Sequence, residues 1–272
     1  MKRIMTLAAI ALAVSCGQNK PQKALILYYS QTGNTEVVAE LFQAYLDADA
    51  EAVVAVNPYD GDFGATIERC LKEREEGVLP EIVPIKSNLK DYDLIVLGYP
   101  VWFGTYAPPI ASLLNSIDLS GKKVLPFCTF GSGGLDSSVK DLEAKLPDSE
   151  ILPGYGVRAA RLDAASAEVE RFMKEYGYVE GEYTKPEPFP EAHAVSEEES
   201  AIFDAAVDGY PMLHAKAEEV AARAVENGME YLFTARDLPR PDAKPDAPAP
   251  GTIKVLVLVE DGAAPVFTQV MR

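Results

Sequence analysis

A run of hydroxyl and amide side chains around one glycine is the first segment of the chain that could do chemistry. This hydroxyl loop consists of Ser30, Gln31, Thr32, Gly33, Asn34 and Thr35. It precedes an amphipathic segment, so its backbone N–H groups would lie at a helix N-terminus, where partial positive charge favours an anion. Main-chain amides and hydroxyl groups can hold a phosphate without lysine or arginine. The alternative is that these side chains only cap the helix.

Two more segments rich in glycine and aromatic residues follow later apolar runs. The tryptophan loop, residues 98–104, contains Pro100, Val101, Trp102, Phe103 and Gly104, and the glycine loop, residues 129–134, contains Thr129, Phe130, Gly131, Ser132 and Gly133. Trp102 is the single tryptophan of the chain. An aromatic ring in a loop favours a flat apolar partner over solvent. The alternative is that Trp102 packs on the helix predicted to start near Pro108.

The elements that must position these loops alternate along the chain. Short apolar runs between amphipathic segments predict a parallel sheet with crossover helices. The five predicted strands are residues 24–29, 51–56, 93–98, 124–129 and 151–157. The apolar helix faces are residues 37, 38, 41, 42 and 45, then 110, 113, 114 and 117, then 139, 142 and 146, and finally 169, 172, 173 and 176. Since parallel strands end at one edge of the sheet, the three loops should meet where such sheets bind ligands.

These three loops together resemble the flavodoxin family over residues 24–178, in its short type because the fifth strand has no insertion. The resemblance implies a five-stranded doubly wound α/β fold and non-covalently bound FMN. It implies that the phosphate lies at the hydroxyl loop and the ring between residues 100–104 and 129–133. Trp102 or Phe103 would stack on the ring, Phe130 would flank it, and backbone groups near residues 131–133 would meet its polar edge. No tyrosine is fixed by motif at the outer face of the ring.

The rest of the chain differs in composition. Residues 179–195 are rich in proline and acidic side chains and predict a linker. Residues 196–272 predict a small α+β unit with a helix at 197–207, strands at 229–236, 252–260 and 266–271, and a proline-rich loop at 238–251. Residues 215–226 fit helix and strand equally. Residues 224–233 weakly resemble the hairpin of cystatin-like domains. Ala224 and Glu226 depart from that family's inhibitory pattern, so we expect a docking or stabilising module; the alternative is an unrelated appendix.

The N-terminus predicts export. Lys2 and Arg3 precede an apolar run and a small residue before Cys16, which resembles a bacterial lipoprotein signal at residues 1–15. The run is too short to span a bilayer. We therefore expect lipidation of Cys16, a polar tether at residues 16–23, and a location in the cell envelope, with the membrane contacted through the lipid anchor only. A simple secretory peptide is the alternative.

Charge and the remaining reactive side chains narrow the function. A net charge of −17 argues against nucleic acid and anionic membrane surfaces as partners. Cys70 and Cys128 lie in apolar patterns that predict inert thiols, and His193 and His214 have no neighbouring third ligand, so no metal site is expected. No Gly-x-Gly-x-x-Gly follows the first strand, so a dinucleotide is not the tightly held cofactor.

Three functions remain open on the sequence. The first is an FMN-dependent oxidoreductase that passes electrons from NADH, NADPH or another small donor to a quinone or similar acceptor. The second is an electron carrier that docks through its acidic surface on a basic redox partner protein. The third is a binding protein without cofactor that recognises its partner through the C-terminal unit. The acidic surroundings and aromatic faces would disfavour a reduced anionic flavin and lower its potential.

Overall fold

The computed structural model describes residues 23–60, 62–238 and 251–272. The predicted signal peptide, Cys16 and most of the tether lie outside the described residues, as does most of the predicted proline-rich loop at 238–251. No helix in the described ranges combines the length and the apolar character needed to cross a membrane.

The first unit is a doubly wound α/β sheet, as predicted. Its elements are β1 (Ala24–Tyr28), α1 (Asn34–Leu46), β2 (Asp49–Ala52), α2 (Phe63–Glu76), β3 (Leu94–Trp102), β4 (Thr105–Tyr106), α3 (Pro108–Ser116), β5 (Lys123–Phe130), α4 (Leu135–Lys145), β6 (Glu150–Ile151), β7 (Tyr155–Arg158) and α5 (Ala165–Glu175). The parallel strands lie in the order β2-β1-β3-β5-β6, with β7 also paired to β5 and β4 antiparallel to β3. The order reverses between β1 and β3, whose carboxyl ends carry the hydroxyl and tryptophan loops.

Helices cover both faces of this sheet because side chains alternate along buried strands. Leu25 and Leu27 of β1 face the layer that contains α2, α3 and α4. Ile26 faces the opposite layer, where α1 and α5 contribute Phe42 and Phe172. The two cores hold the strand ends, and therefore the loops, in fixed positions.

Several predicted bounds were wrong for identifiable reasons. The second strand is residues 49–52 rather than 51–56, because β1 ends at Tyr28 and residues 54–56 pair with residues 81–83 instead. The third strand continues past residue 98 to Trp102. The fifth is interrupted at residues 152–154, where Pro153 has no N–H to donate. Val37 and Tyr176, predicted on buried helix faces, are exposed.

The C-terminal unit is one helix on an antiparallel sheet. Its elements are β8 (His193–Ala194), α6 (Glu197–Val207), β9 (Ala215–Val225), β10 (Gly228–Asp237), β11 (Thr252–Glu260) and β12 (Val266–Met271), with strand order β12-β11-β10-β9-β8. The undecided segment 215–226 is therefore a strand, since its pairing along β10 outweighs helix propensity. Phe203 of α6 packs on Phe233 in the core. Residues 180–192, all within the described ranges, contain neither helix nor strand.

Candidate functional site

The backbone of the hydroxyl loop leaves a row of donors without protein partners. Gly33 has φ +88°, and no heavy atom lies within 4 Å of the position a Cβ would take there. The N–H of Val37 donates to the Gly33 carbonyl at 3.0 Å and starts the helix. Within the described part of the chain, the N–H groups of Thr32, Gly33, Asn34 and Thr35 donate no hydrogen bond. Four adjacent amides at the start of α1 are thus available to an anion.

The side chains of the same loop mostly hold the loop itself. Ser30 Oγ accepts a hydrogen bond from the Glu36 N–H at 3.3 Å, which is a capping contact. Gln31 Nε2 donates to the Tyr59 carbonyl at 2.7 Å and to Thr66 Oγ1 at 2.8 Å, so it ties the loop to α2. The main chain of this loop therefore offers an anion more free donors than these two side chains do.

A direct hydrogen bond joins the hydroxyl loop to the glycine loop. The hydroxyl groups of Thr35 and Thr129 lie 2.8 Å apart, and both residues are buried. Phe130, the next residue, is also buried, and its ring packs over Gly156 in the core rather than along the cavity described below. Thr129 and Phe130 thus position the loops.

The tryptophan loop is a tight hairpin. Val101 pairs with Tyr106 and Trp102 with Thr105, so Phe103 and Gly104 are the two turn residues. Both have positive φ, +52° and +82°, as a type I′ turn requires. A phenylalanine in this conformation costs about 1–2 kcal/mol relative to an ordinary one. Phe103 is nevertheless half exposed. The strained turn therefore holds an aromatic side chain at the surface, as strained residues at functional sites often do.

Trp102 belongs to an aromatic cluster at the edge of the same loop. Its ring meets Tyr29 edge to face at 5.9 Å between centroids and Tyr59 at 5.2 Å. Burial raises the pKa of Tyr29 to about 12, so this hydroxyl stays protonated at neutral pH. Trp102 thus packs on Tyr29 and Tyr59, which the sequence did not suggest as its partners, and it also borders the cavity.

The loops border a cavity of about 600 Å³. Half of the residues predicted to bind the cofactor line this cavity: Gln31, Val101, Trp102, Phe103, Gly104, Gly131, Ser132 and Gly133. The other predicted residues, Ser30, Thr32, Gly33, Asn34, Thr35, Pro100, Thr129 and Phe130, are not part of its lining. The hydroxyl loop thus reaches this cavity through Gln31, and a volume of this size is typical of small-molecule sites.

Several wall residues were missed in the sequence. They are Phe63, Thr66, Ile67 and Cys70 of α2, Gly134 at the end of the glycine loop, Asp136 and Ser137 after that loop, and Tyr210, Met212, Asp237, Gln269, Val270, Met271 and Arg272 of the C-terminal unit. Cys70 is buried, and desolvation raises the pKa of its thiol to about 11. The cavity therefore lies between the two sheets, which no local motif predicts.

Arg158 fastens the C-terminal unit to the glycine loop. This side chain is 8% exposed; its Nε donates to the Gly131 carbonyl at 2.9 Å and its Nη1 to the Phe267 carbonyl at 2.8 Å. The guanidinium carbon lies 3.4 Å from the centroid of the Phe267 ring. Desolvation lowers its pKa to about 10, so it is still charged at neutral pH. No carboxylate of the described residues forms an ion pair with it.

One sequence signal could have identified Arg158. It ends β7, and residues at the carboxyl ends of parallel strands lie on the ligand side of the sheet. Its partner Phe267 is 109 positions away, and nothing in either segment predicts that pairing. The sequence led us to expect acidic surroundings for the flavin, and the buried positive charge of Arg158 was not predicted.

Comparison with known proteins agrees with this geometry. A family model described as Flavodoxin matches residues 23–171, more than half of the chain. The chain therefore belongs to the flavodoxin family, and the predicted resemblance is confirmed.

This chain is similar to a curated protein and to a solved structure whose names mention FMN. An FMN-dependent NADPH-azoreductase from Staphylococcus haemolyticus (strain JCSC1435) is 34% identical over 88 residues, which cover 29% of this chain and 47% of the relative. The match thus spans about half the length of that curated protein. A flavoprotein from Lactobacillus acidophilus NCFM, solved in complex with FMN, is 29% identical with a TM-score of 0.46, and the match covers 53% of this chain and 99% of that one.

The residues present fit FMN, the cofactor that family membership supports. Four unpaired amides and the open space beside Gly33 suit a phosphate dianion that has no cationic partner. The cavity has the aromatic side chains of Trp102 and Phe103 on one wall and the glycine loop on another. This combination of an anion cradle and an apolar slot matches the two chemically different ends of FMN.

Proposed function

We propose that this protein binds FMN between its loops and acts as an oxidoreductase. The observation that carries the proposal is the row of unpaired amides from Thr32 to Thr35, in the same loop as a residue that borders the cavity. When bound, the cofactor supplies hydride and electron transfer. The protein supplies its position, its electrostatic surroundings and the exclusion of water.

Each part of the site has a separate task in this proposal. The amides at the start of α1 hold the phosphate, and the helix dipole favours its negative charge. Trp102 and Phe103 flank the ring system, and the N–H groups of residues 131–133 are available to its polar edge. Side chains of α2 and of the C-terminal unit close the remaining walls. None of the protein side chains is assigned a proton-transfer step.

Two functions of a flavin protein compete here. The printed name of the azoreductase relative supports turnover of a small substrate with NADPH, although the match spans less than half of that protein. The net charge of −17 favours the second candidate, an electron carrier that docks on a basic redox protein. We favour the oxidoreductase because apolar side chains border the cavity beyond the three predicted loops.

A spectrum and one assay test the proposal. We expect purified protein to take up FMN in a 1:1 titration and to show the visible absorption of a bound flavin. Incubation with NADPH or NADH and a quinone should then give catalytic turnover. Absence of FMN uptake would refute both flavin functions and leave the cofactor-free binding protein. A yellow protein that is reduced only by another protein would support the carrier.

We also propose that Cys16 carries a lipid anchor that holds the protein in the cell envelope. The support is the sequence of residues 1–16, with two basic residues, an apolar run and a small residue before the cysteine. Cys16→Ala should move the protein from the membrane fraction to the soluble fraction, whereas Cys70→Ala should leave its distribution unchanged. Continued membrane association of the Cys16→Ala variant would contradict the anchor.

A further inference from the structure

We propose that the C-terminal unit is a fixed wall of the flavin cleft, and that it restricts the electron acceptor to small, flat, uncharged molecules with a conjugated ring, such as quinones. The inference rests on the proposed function, because it concerns access to the same cavity. It predicts that a protein acceptor cannot reach the ring.

Backbone contacts hold the wall directly against the glycine loop. The N–H of Val270 in β12 donates to the Ser132 carbonyl at 2.7 Å. A Cβ at Gly133 would overlap the carbonyl oxygen of Val270, so the two main chains approach as closely as glycine permits. Main-chain contact of this kind leaves little freedom for one unit to slide on the other.

Arg158 adds a second attachment beneath the first. One guanidinium group bonds carbonyls of both units, at Gly131 and at Phe267, and stacks on the Phe267 ring. Tyr210 lies on the same group, with its ring centroid 5.2 Å from the guanidinium carbon. Separation of the units would break the hydrogen bond from Arg158 to the Phe267 carbonyl and the stacking on the Phe267 ring, whereas the bond to Gly131 lies within the first unit.

The lining of the cleft indicates what enters it. Phe63 is 79% exposed, and Phe103 and Met212 are each more than 40% exposed, yet all three border this one cavity. Large apolar side chains that face the same open space mark a site for an apolar ligand. The charged side chains in the lining are Asp136, Asp237 and Arg272, so an anionic acceptor gains little. A flat molecule with a conjugated ring and no charge satisfies these walls best.

The first test needs no flavin. We expect Arg158→Met to loosen the wall, so that the Val270 amide of the apoprotein exchanges with deuterium about tenfold faster or more. Arg161→Met is the matched control, because Arg161 pairs with Glu168 inside the first unit. The control should leave exchange at Val270 unchanged. Equal exchange in Arg158→Met and the unaltered protein would overturn the fixed wall.

The second test compares acceptors on the FMN-loaded protein after reduction with dithionite. Benzoquinone should reoxidise it at least about 100-fold faster than cytochrome c, although the basic surface of cytochrome c favours its encounter with this acidic chain. Arg158→Met should raise the cytochrome c rate about tenfold and leave the quinone rate within about threefold. Reaction of the unaltered protein with cytochrome c as fast as with benzoquinone would contradict the restriction.

A third variant removes dependence on the folding of Arg158→Met. Met212→Trp fills part of the cleft from an exposed position, so it should lower the quinone rate of the FMN-loaded protein about tenfold. An unchanged quinone rate would place the acceptor elsewhere and contradict the proposal. If FMN does not bind at all, the exchange experiment still decides whether the wall exists, so the two failures are distinguishable.

Discussion

The two ends of the proposed flavin site are built in different ways. The phosphate end consists of one loop between β1 and α1, in which consecutive main-chain amides are available to a phosphate. The ring end is assembled from the tryptophan loop, the glycine loop, α2 and the C-terminal unit, and a buried arginine fastens it. One end is therefore a local property of six residues, whereas the other exists only when two distant parts of the chain are packed together.

The two ends are therefore vulnerable to different substitutions. Damage to the phosphate end should act on affinity through backbone conformation and leave the fold intact. Damage at the ring end should act on stability and access together, since the same contacts join the units and shape the cavity. The following variants separate these effects.

The largest expected effect is at the phosphate end. Gly33→Val forces a β-branched residue into a left-handed conformation and redirects the adjacent amides, so the Kd for FMN should rise at least about 100-fold, or about 2.7 kcal/mol. Titration of the apoprotein measures it. Gly121→Val is the control, because Gly121 also has positive φ with nothing within 4 Å but is not among the cavity residues. Equal losses of affinity in both variants would contradict local control of phosphate binding.

The next effect is on stability at the ring end. Gly133→Ala places a methyl group against the Val270 carbonyl, and we expect the free energy of unfolding to fall by about 2 kcal/mol, measured with urea. In Gly131→Ala, the added Cβ would contact only the Tyr210 hydroxyl oxygen, at 3.1 Å, and the Tyr210 side chain can rotate away. That control should cost less than about 1 kcal/mol. The reverse ranking would mean that backbone contact does not hold the units.

A third variant should change stability and affinity in opposite directions. Phe103→Asn gives the turn the Asn-Gly pair that type I′ favours, so the free energy of unfolding should rise by about 1 kcal/mol. Loss of the aromatic ring should weaken FMN binding about fivefold. Thermal unfolding and FMN titration on the same preparation measure both. Stabilisation without loss of affinity would remove Phe103 from the ring site.

The smallest effect concerns the pH dependence of Cys70. Because burial raises the pKa of this thiol to about 11, the reactive thiolate is scarce at pH 8 and becomes abundant only as the pH rises through that value. Alkylation of the native protein by iodoacetamide, followed by mass spectrometry, should therefore be slow at pH 8 and accelerate toward pH 10. Rapid modification at pH 8 would show that water reaches this part of the ring end.

The loop of the phosphate end is easier to recognise in the sequence than the walls of the ring end, for a physical reason. The conformation of residues 30–35 can be predicted locally, because the glycine, the hydroxyl groups and the following helix are neighbours in the chain. Element bounds at 197–207, 252–260 and 266–271 were also predicted correctly, since a capping box or alternating apolar residues mark them. These are all short-range signals.

Long-range pairing accounts for what was missed. The strand at residues 215–225 has helix-favouring composition and is fixed by its pairing with β10. Arg158 has two carbonyl partners that come from different sheets, one of them 109 positions away, so its role cannot be seen in its neighbours. Phe130 was expected beside the ring and lies in the core, because strand β5 extends one residue further than predicted and Phe130 continues its buried side.

A comparison of FMN with riboflavin isolates the proposed phosphate site at the start of α1, because the two molecules differ only by the phosphate. Titration of the apoprotein with each should show 1:1 binding of FMN and at least about 100-fold weaker binding of riboflavin, since charge-assisted hydrogen bonds to several amides contribute about 3 kcal/mol or more. Equal affinity for the two, or no binding of FMN, would contradict a phosphate site at the start of α1.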